Sequence, residues 1–381
     1  MGKNIAIIIQ KLTGGGAERV AANLSISLSK HYNVFLYVFD TQNITYPYAG
    51  TLRSIDDGKG AGFFGKAVHI LRRISVVRRL KKQDQIDVSI SLLNFANLVN
   101  VLSAGKDKTI ISIRNNMESL SSKSDRFALS TSMRKADKVV SLSKSVEKQL
   151  ADRYGCADKI STIYNSVPQL SAGEALYTGA YQTFFVTAGR LTEQKGQWHL
   201  IKAMSIVCQK HPEVQLLILG EGELKQKLAQ LIASMGLEKN VILYGYCSDP
   251  KPIVKASVAF VFPSLFEGLG NAIVEALALG KCVISADCPH GPAELLDDSF
   301  CGGRSGVTEA KYGILIPAFD RSVDFSEELA ENDRVLAQAM LRVLEDGALR
   351  EHYQRQAQLR ANDFSEDNIC SQWSALVEQL S

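Results

Sequence analysis

The sequence predicts an α/β protein built of two Rossmann-like, doubly wound domains facing across a cleft. Short apolar runs alternate with helical stretches along nearly the whole chain, which is the pattern of parallel sheets covered by helices. The alternation breaks once, over 169–182, and then restarts. At 381 residues the chain is too long for one ordinary core and suited to two.

The first strand is "NIAIIIQ" (4–10), a continuous apolar run of the kind buried on both faces. "GGAERVAANLSISLSK" follows as a helix and "NVFLYVF" (33–39) as a strand. Further strands are expected at 87–92, 109–113 and 138–142, and "ISTIYNSVP" (160–168) reads as a short strand and a turn. These make a first domain of 1–168. The stretch "QLSAGEALYTGAYQ" (169–182) has small residues and no period, and is expected to be a linker. A second domain, 183–364, then runs through "TFFVTA" (183–188), a helix from about 197, "VQLLILG" (214–220), another helix, "NVILYG" (240–245), "SVAFVFPS" (257–264), an alanine-rich helix, "KCVISA" (281–286) and "YGILIP" (312–317). The C-terminus is helical and acidic, and its last piece, about 365–381, is expected to pack back on the first domain.

Composition, 46% hydrophobic and 22% charged, is that of a globular protein, and no apolar run is long enough to span a bilayer. The start, "MGKNIAIIIQKL", reads as a strand and loop rather than a signal peptide. Seven scattered cysteines without a C-x-x-C argue against a disulfide framework or a zinc site, and fit a reduced, cytoplasmic setting. The net charge of +3 is unevenly placed: residues 1–165 carry +12 and the remainder −9. A basic half points either to an anionic partner, such as nucleic acid, a membrane surface or phosphates, or to chance segregation of solvated charges.

The chemistry gathers at predicted strand ends. Gly14, Gly15 and Gly16 lie between the first strand and first helix, where the backbone can approach a ligand and the helix N-terminus offers N–H groups to a phosphate; the G-x-G-x-x-G fingerprint is absent. In the second domain, Arg190 and Lys195 follow one strand, Gly220 and Gly222 the next, and "YGYCSD" and "FPSLFEGLGNAIVEA" two more; the loop "ADCPHGPAELL" adds a Gly291-Pro292 turn before Glu294. Open α/β sheets bind ligands at these ends. A diphosphate needs cations and N–H donors, which Arg190, Lys195 and the helix start at Leu269–Asn271 supply. Carboxylates beside such a site, Glu267 and Glu275, are repelled unless they meet hydroxyls. One on a ribose and one on a sugar describe a nucleotide sugar.

These segments, "GGAER", "GRLTEQKGQWHLIKA" and "FPSLFEGLGNAIVEALALGKCVIS", resemble glycosyltransferase family 4 in order and spacing, over nearly the whole chain. The resemblance implies a GT-B fold, a nucleoside-diphosphate-sugar donor, retention of anomeric configuration and no metal or other cofactor. It places Arg190 and Lys195 on the donor diphosphate, Glu267 on the donor hexose and Glu275 on the ribose. Backbone N–H groups in the stretch Gly268, Leu269, Gly270 and Asn271 are to cap the distal phosphate, residues around Tyr246 are to meet the base, Gly220 lies in a donor-facing loop, and Gly15 and Gly16 approach the diphosphate from the other domain. Many family members carry a histidine on the loop after the strand at 109–113; here the loop reads "SIRNNMES", with Arg114 and Asn115. Arg114 can stabilise charge on the transferring sugar or leaving phosphate, but stays protonated and is no base. The leaving phosphate itself can assist the acceptor hydroxyl. His290 is left outside the core site.

Between Asp57 and Asp84 no acidic residue occurs, and "GKAVHILRRISVVRRLKKQ" carries Lys66, Arg72, Arg73, Arg78, Arg79, Lys81 and Lys82. At helical spacing Ala67, Ile70, Leu71, Ile74 and Val77 share one face. This reads either as an interfacial helix on anionic lipid or as a helix packed on its sheet with a solvated basic face. Aromatic residues are not interleaved as single-stranded nucleic acid requires, so no nucleic-acid partner is expected. The segment is similar to the basic helix of family members that extend polyprenyl-diphosphate-linked oligosaccharides. The expectation is a cytoplasmic retaining glycosyltransferase, peripheral on the inner face of the membrane. It would move a sugar from a UDP-sugar (UDP-hexose or UDP-HexNAc) to a lipid-linked acceptor in O-antigen, capsule or N-glycan precursor assembly. The rivals are a nucleotide-sugar epimerase of the same architecture and a non-catalytic nucleotide-sugar-binding partner subunit.

Overall fold

The computed structural model of the chain describes residues 2–55, 63–114, 122–167, 177–297 and 304–380, with the backbone alone for 63–67. It divides into two compact units, Met1–Ser166 with Glu366–Ser381, and Val167–Ser365. Most of the expected linker, and Asn115, lie outside the described residues.

In the first unit the elements run β1 (Asn4–Ile9), α1 (Gly16–Leu28), β2 (Asn33–Val38), β3 (Thr51–Ser54), α2 (Phe63–Gln83), β4 (Val88–Leu92), α3 (Asn94–Leu102), β5 (Lys108–Ile113), α4 (Lys123–Lys135), β6 (Lys138–Ser141), α5 (Lys144–Tyr154) and β7 (Ile160–Thr162). The strands form a parallel sheet in the order β3-β2-β1-β4-β5-β6-β7. Ile5 to Ile9 of β1 are fully buried, because the sheet is covered on both faces and its central strand has no solvent side. Ser122 and Ser143 cap α4 and α5 through Asp125 N and Val146 N. The edge strand β3 escapes the sequence pattern: "TLRS" has one large apolar side chain and is partly exposed.

The second unit runs β8 (Phe184–Ala188), α6 (Gln197–Lys210), β9 (Gln215–Leu219), α7 (Lys225–Ser234), β10 (Val241–Gly245), α8 (Lys251–Ala256), β11 (Phe260–Phe262), α9 (Asn271–Ala278), β12 (Val283–Ala286), α10 (Pro292–Leu296), β13 (Thr308–Glu309), β14 (Ile314–Ile316), α11 (Glu331–Glu345) and α12 (Gly347–Ala361). Its strand order is β10-β9-β8-β11-β12-β14-β13, parallel except for the short β13. The winding reverses between β8 and β11, the place where an open sheet leaves a crevice at its strand ends. The last helix, α13 (Glu366–Glu378), belongs to the first unit, where Ile369, Trp373, Leu376 and Val377 join the core that α1 packs on.

The basic segment is the helix α2, and packing divides its residues differently from the sequence reading. Ile74 and Val77 are buried and Ile70 packs beside them, against the sheet face of Ile8 and Phe39. Leu71, expected to share one apolar face with Ile70, Ile74 and Val77, is instead 67% exposed, with Val68 at 62%. Lys81 is no surface cation: its ammonium lies 2.8 Å from Asp107 Oδ2 and bonds Asn100. It is buried at the register where α2 crosses α3, and burial pulls its pKa down while Asp107 opposes that. Arg73 lies over the rings of Phe39 and Phe95, and Arg78 donates to Leu102 O. Arg72, Arg79 and Lys82 stand on the exposed face. The side chain of Lys66 lies outside the described set. Among the described residues no helix is long and apolar enough to cross a membrane.

Candidate functional site

The loops leaving β8 and β11 meet at the reversal point of the second sheet. After β8 comes Gly189-Arg190, then a 3-10 turn, Glu193–Lys195, closed by Gly196. Gly196 has φ +59°, and a Cβ there would stand 2.4 Å from Pro263 O, so only glycine lets the two loops touch. Two hydrogen bonds lock them: Leu265 N to Gln194 O at 2.9 Å, and Gln194 Nε2 to Phe266 O at 3.0 Å. Sequence reasoning passed over Gln194 because nothing in its neighbourhood announces a buttress.

This clamp brings Lys195 and Glu267 together. Lys195 Nζ lies 2.5 Å from Glu267 Oε1 and over the ring of Phe262. Glu267 is 8% exposed. The two residues expected to serve phosphate and sugar separately are thus directly paired. Lysine has three donors, so the pair can remain while a further oxygen accepts from the same ammonium. Arg190 is exposed, with its backbone carbonyl held by Gln197 Nε2. Its guanidinium has no carboxylate partner among the described residues.

Beyond Glu267, the half-buried Gly268 and the buried Leu269 lead to Gly270, which caps α9 at φ +95°. The helix start at Asn271 has no side-chain cap hydrogen bond and no acid in its first turn, and a helix start presents amides and the positive end of the dipole. Glu275 is the fifth residue of α9, at the start of its second turn and half-buried.

Neighbouring loops close on this core. Gly220, at φ +139°, backs against Gly189, where a Cβ would lie 2.0 Å from the Gly189 carbonyl oxygen. Its evident work is loop packing. Tyr246, just after β10, is 78% exposed. In the loop after β12, the Pro289 carbonyl accepts from Glu267 N at 3.3 Å. Here Cys288 is buried, and its thiol pKa is pushed well up by that burial. His290 adopts φ +67°, uncommon for a non-glycine residue. Behind it, Arg304 pairs with Asp287 at 3.0 Å and Asp297 at 2.9 Å. Burial raises the Asp287 pKa while Arg304 opposes it. Among the described residues, no group of three His, Cys, Asp or Glu side chains is placed to hold a metal ion.

The first unit holds the remaining candidates. Gly15 caps α1 without a side-chain hydrogen bond, but the carboxylate of Glu18 folds back to it: a Cβ on Gly15 would stand 2.0 Å from Glu18 Oε2. The helix start expected to welcome a phosphate at Gly15 and Gly16 therefore already faces a carboxylate. Arg114, just past β5, is buried; Nη1 donates to Asn165 Oδ1 at 2.6 Å.

Comparison with known proteins fits this division. Residues 14–169 match the family model described as Glycosyltransferase Family 4, and residues 178–310 match Glycosyl transferases group 1. The two matches lie one on each α/β half of the chain. It is 42% identical over 200 residues to an uncharacterized glycosyltransferase of Methanocaldococcus jannaschii, covering 51% of this chain and about half, 49%, of that one. It is 27% identical over 386 residues to N-acetylgalactosamine-N,N'-diacetylbacillosaminyl-diphospho-undecaprenol 4-alpha-N-acetylgalactosaminyltransferase of Campylobacter jejuni, covering 96% of this chain and 97% of that one. Among solved structures, Anabaena HepE in complex with UDP superposes with a TM-score of 0.75 at 18% identity over 99% of this chain and 100% of that one. The lipopolysaccharide outer core galactosyltransferase WaaB superposes with 0.74 at 19% identity over 99% of each chain. These likenesses establish the fold, two α/β domains of the GT-B type.

Proposed function

We propose that this chain, a glycosyltransferase of the GT-B type, moves a sugar from a UDP-sugar to a lipid-linked glycan acceptor with retention of configuration and without a metal ion. The observation that carries the reading is the Lys195–Glu267 pair beside the uncapped start of α9, at the reversal point of the second sheet. Arg190, Lys195 and the α9 amides hold the donor diphosphate and meet the charge that grows on it as the glycosidic bond breaks. Glu267 accepts from hexose hydroxyls, and its pairing with Lys195 fixes its orientation. Glu275 accepts from the ribose, and Tyr246 lies by the base. The departing phosphate oxygen takes the proton of the incoming acceptor hydroxyl on the face it leaves, which retains configuration. UDP in the Anabaena structure and diphospho-undecaprenol in the name of the Campylobacter relative support the choice of donor and acceptor. On the first unit, the exposed face of α2, with Val68, Leu71, Arg72, Arg79 and Lys82, rests on the anionic inner face of the membrane.

Thermal-shift screening with UDP-, GDP- and ADP-sugars tests the donor, and transfer to a short polyprenyl-diphosphate-linked glycan tests the acceptor. UDP-sugars should raise the melting temperature, the product linkage should keep the donor's anomeric configuration, and turnover should survive EDTA. The reading fails if no nucleotide sugar stabilises the protein. Its metal-free part fails if EDTA abolishes transfer and manganese or magnesium restores it.

A further inference from the structure

Among the described residues, other buried or largely buried cations are held by carboxylates or carbonyls. Lys81 has Asp107, Lys202 has Asp324, and Arg304 has two aspartates. Lys281 donates to Lys255 O and Ser257 O, and Arg360 donates to Glu294 O, Leu295 O and Asp363. Arg114 differs. It is 8% exposed, and its one hydrogen bond is Nη1 to Asn165 Oδ1 at 2.6 Å. Its guanidinium carbon lies 6.0 Å from the centre of the Trp373 ring. Among the described residues, Nε and Nη2 are buried with no hydrogen-bond partner, and no carboxylate pairs with the group. Burial alone lowers its pKa, to about 10, so it remains a cation at neutral pH.

An unpaired, desolvated guanidinium is strongly unfavourable. The two unused atoms lie on one edge of a planar fork, the edge that takes two oxygens of a phosphate or carboxylate side by side. Arg114 also stands at a strand end of the first sheet, just past β5, which pairs with β4, at the edge where such sheets receive ligands. We infer that Arg114, braced by Asn165 and floored by Trp373, is a seat for a phosphate oxyanion. The inference rests on the glycosyl-transfer reading only for the source of that phosphate: the acceptor's diphosphate or the leaving nucleoside diphosphate. The seat itself follows from the unpaired charge.

The test compares the parent with Arg114→Met and Arg114→Lys in phosphate-free buffer. Trp373 emission is the local readout, because the other tryptophan, Trp198, is buried in the second unit's core; a Trp373→Phe control identifies the signal. Titration with inorganic pyrophosphate and with geranyl diphosphate should change Trp373 emission in the parent. Both variants should bind at least tenfold more weakly, Arg114→Lys because it keeps the charge but loses the fork. Without anion, Arg114→Met should melt no lower than the parent. A geranyl diphosphate response that persists under saturating UDP assigns the seat to the acceptor. A response that UDP alone produces and saturates assigns it to the leaving diphosphate. Unchanged pyrophosphate affinity in Arg114→Lys overturns the inference, as does an anion-free Arg114→Met that melts well below the parent. If no nucleotide sugar binds while the Trp373 response to pyrophosphate persists, the transfer reading falls and the seat stands.

Discussion

Glu267 and Lys195 sit in a contact that neither residue can leave cheaply. Each side chain is mostly buried, and their atoms are 2.5 Å apart. Removing one member strands the other's charge in a poorly solvated place, which costs about 3–5 kcal/mol for a fully buried pair. Lys195 keeps 19% side-chain exposure, so Lys195→Met should cost less, about 2–3 kcal/mol. Glu267→Gln keeps the shape and should lower turnover by about 10²-fold, as loss of a preorganised polar contact does. Combined, the two substitutions should destabilise by less than the sum of the singles, because the second relieves the charge exposed by the first. Urea unfolding and initial rates measure both effects; strict additivity would mean that the pair does not act as one unit.

At the scale of elements, α2 makes a sharp distinction between cations that share a helix. Reversing Arg72, Arg79 and Lys82 to glutamate should leave circular dichroism unchanged and abolish sedimentation with anionic vesicles at low salt. Each basic residue near such a surface contributes up to about 1 kcal/mol. Lys81→Met should instead weaken the fold, since Asp107 and Asn100 lose their buried partner, and should leave any vesicle binding of the folded protein intact. Vesicle binding unaffected by the triple reversal would reduce α2 to a packed helix with a solvated face.

A second element carries a pH signature. Lys281 holds the C-terminal carbonyls of α8 at Lys255 and Ser257. Burial lowers its pKa from 10.5 to about 8. Between those values the unfolded chain binds a proton that the folded chain has released, so stability rises with pH across this window. The parent should gain about 2–3 kcal/mol relative to Lys281→Met between pH 8 and 10.5, one pKa unit being worth about 1.4 kcal/mol. Parallel stability curves over that range would show that the ammonium is not desolvated.

For the whole molecule, the chain returns from the second unit to complete the first. Ile369, Cys370, Trp373, Leu376 and Val377 of α13 are buried in the first unit's core. Each apolar side chain so buried contributes about 1.5–3 kcal/mol, so deleting 366–381 should remove about 5 kcal/mol or more, a large share of a domain's net stability. Calorimetry should show the first unit's transition lost or strongly lowered, with the transition that UDP shifts still present. An unchanged pair of transitions would refute that role for α13.

How much of this was legible in the sequence follows from the range of the forces involved. Apolar runs such as "NIAIIIQ" and "VQLLILG" declare strands buried on both faces, because periodicity is local and burial is its cause. The glycines, cations and glutamates at strand ends could be singled out as a candidate site for the same reason: their chemistry is intrinsic. The partly exposed β3 left no pattern to read. Which cation meets which carboxylate was equally hidden, since that depends on residues far apart in the chain. Lys195 and Glu267 are joined by two loops at a sheet reversal, Lys81 is turned inward by the crossing of α2 on α3, and Glu18 is folded back on Gly15. Arg114 shows the limit most clearly: its type and loop were readable, but its lack of a counter-charge is a property of every neighbour the fold did not place beside it.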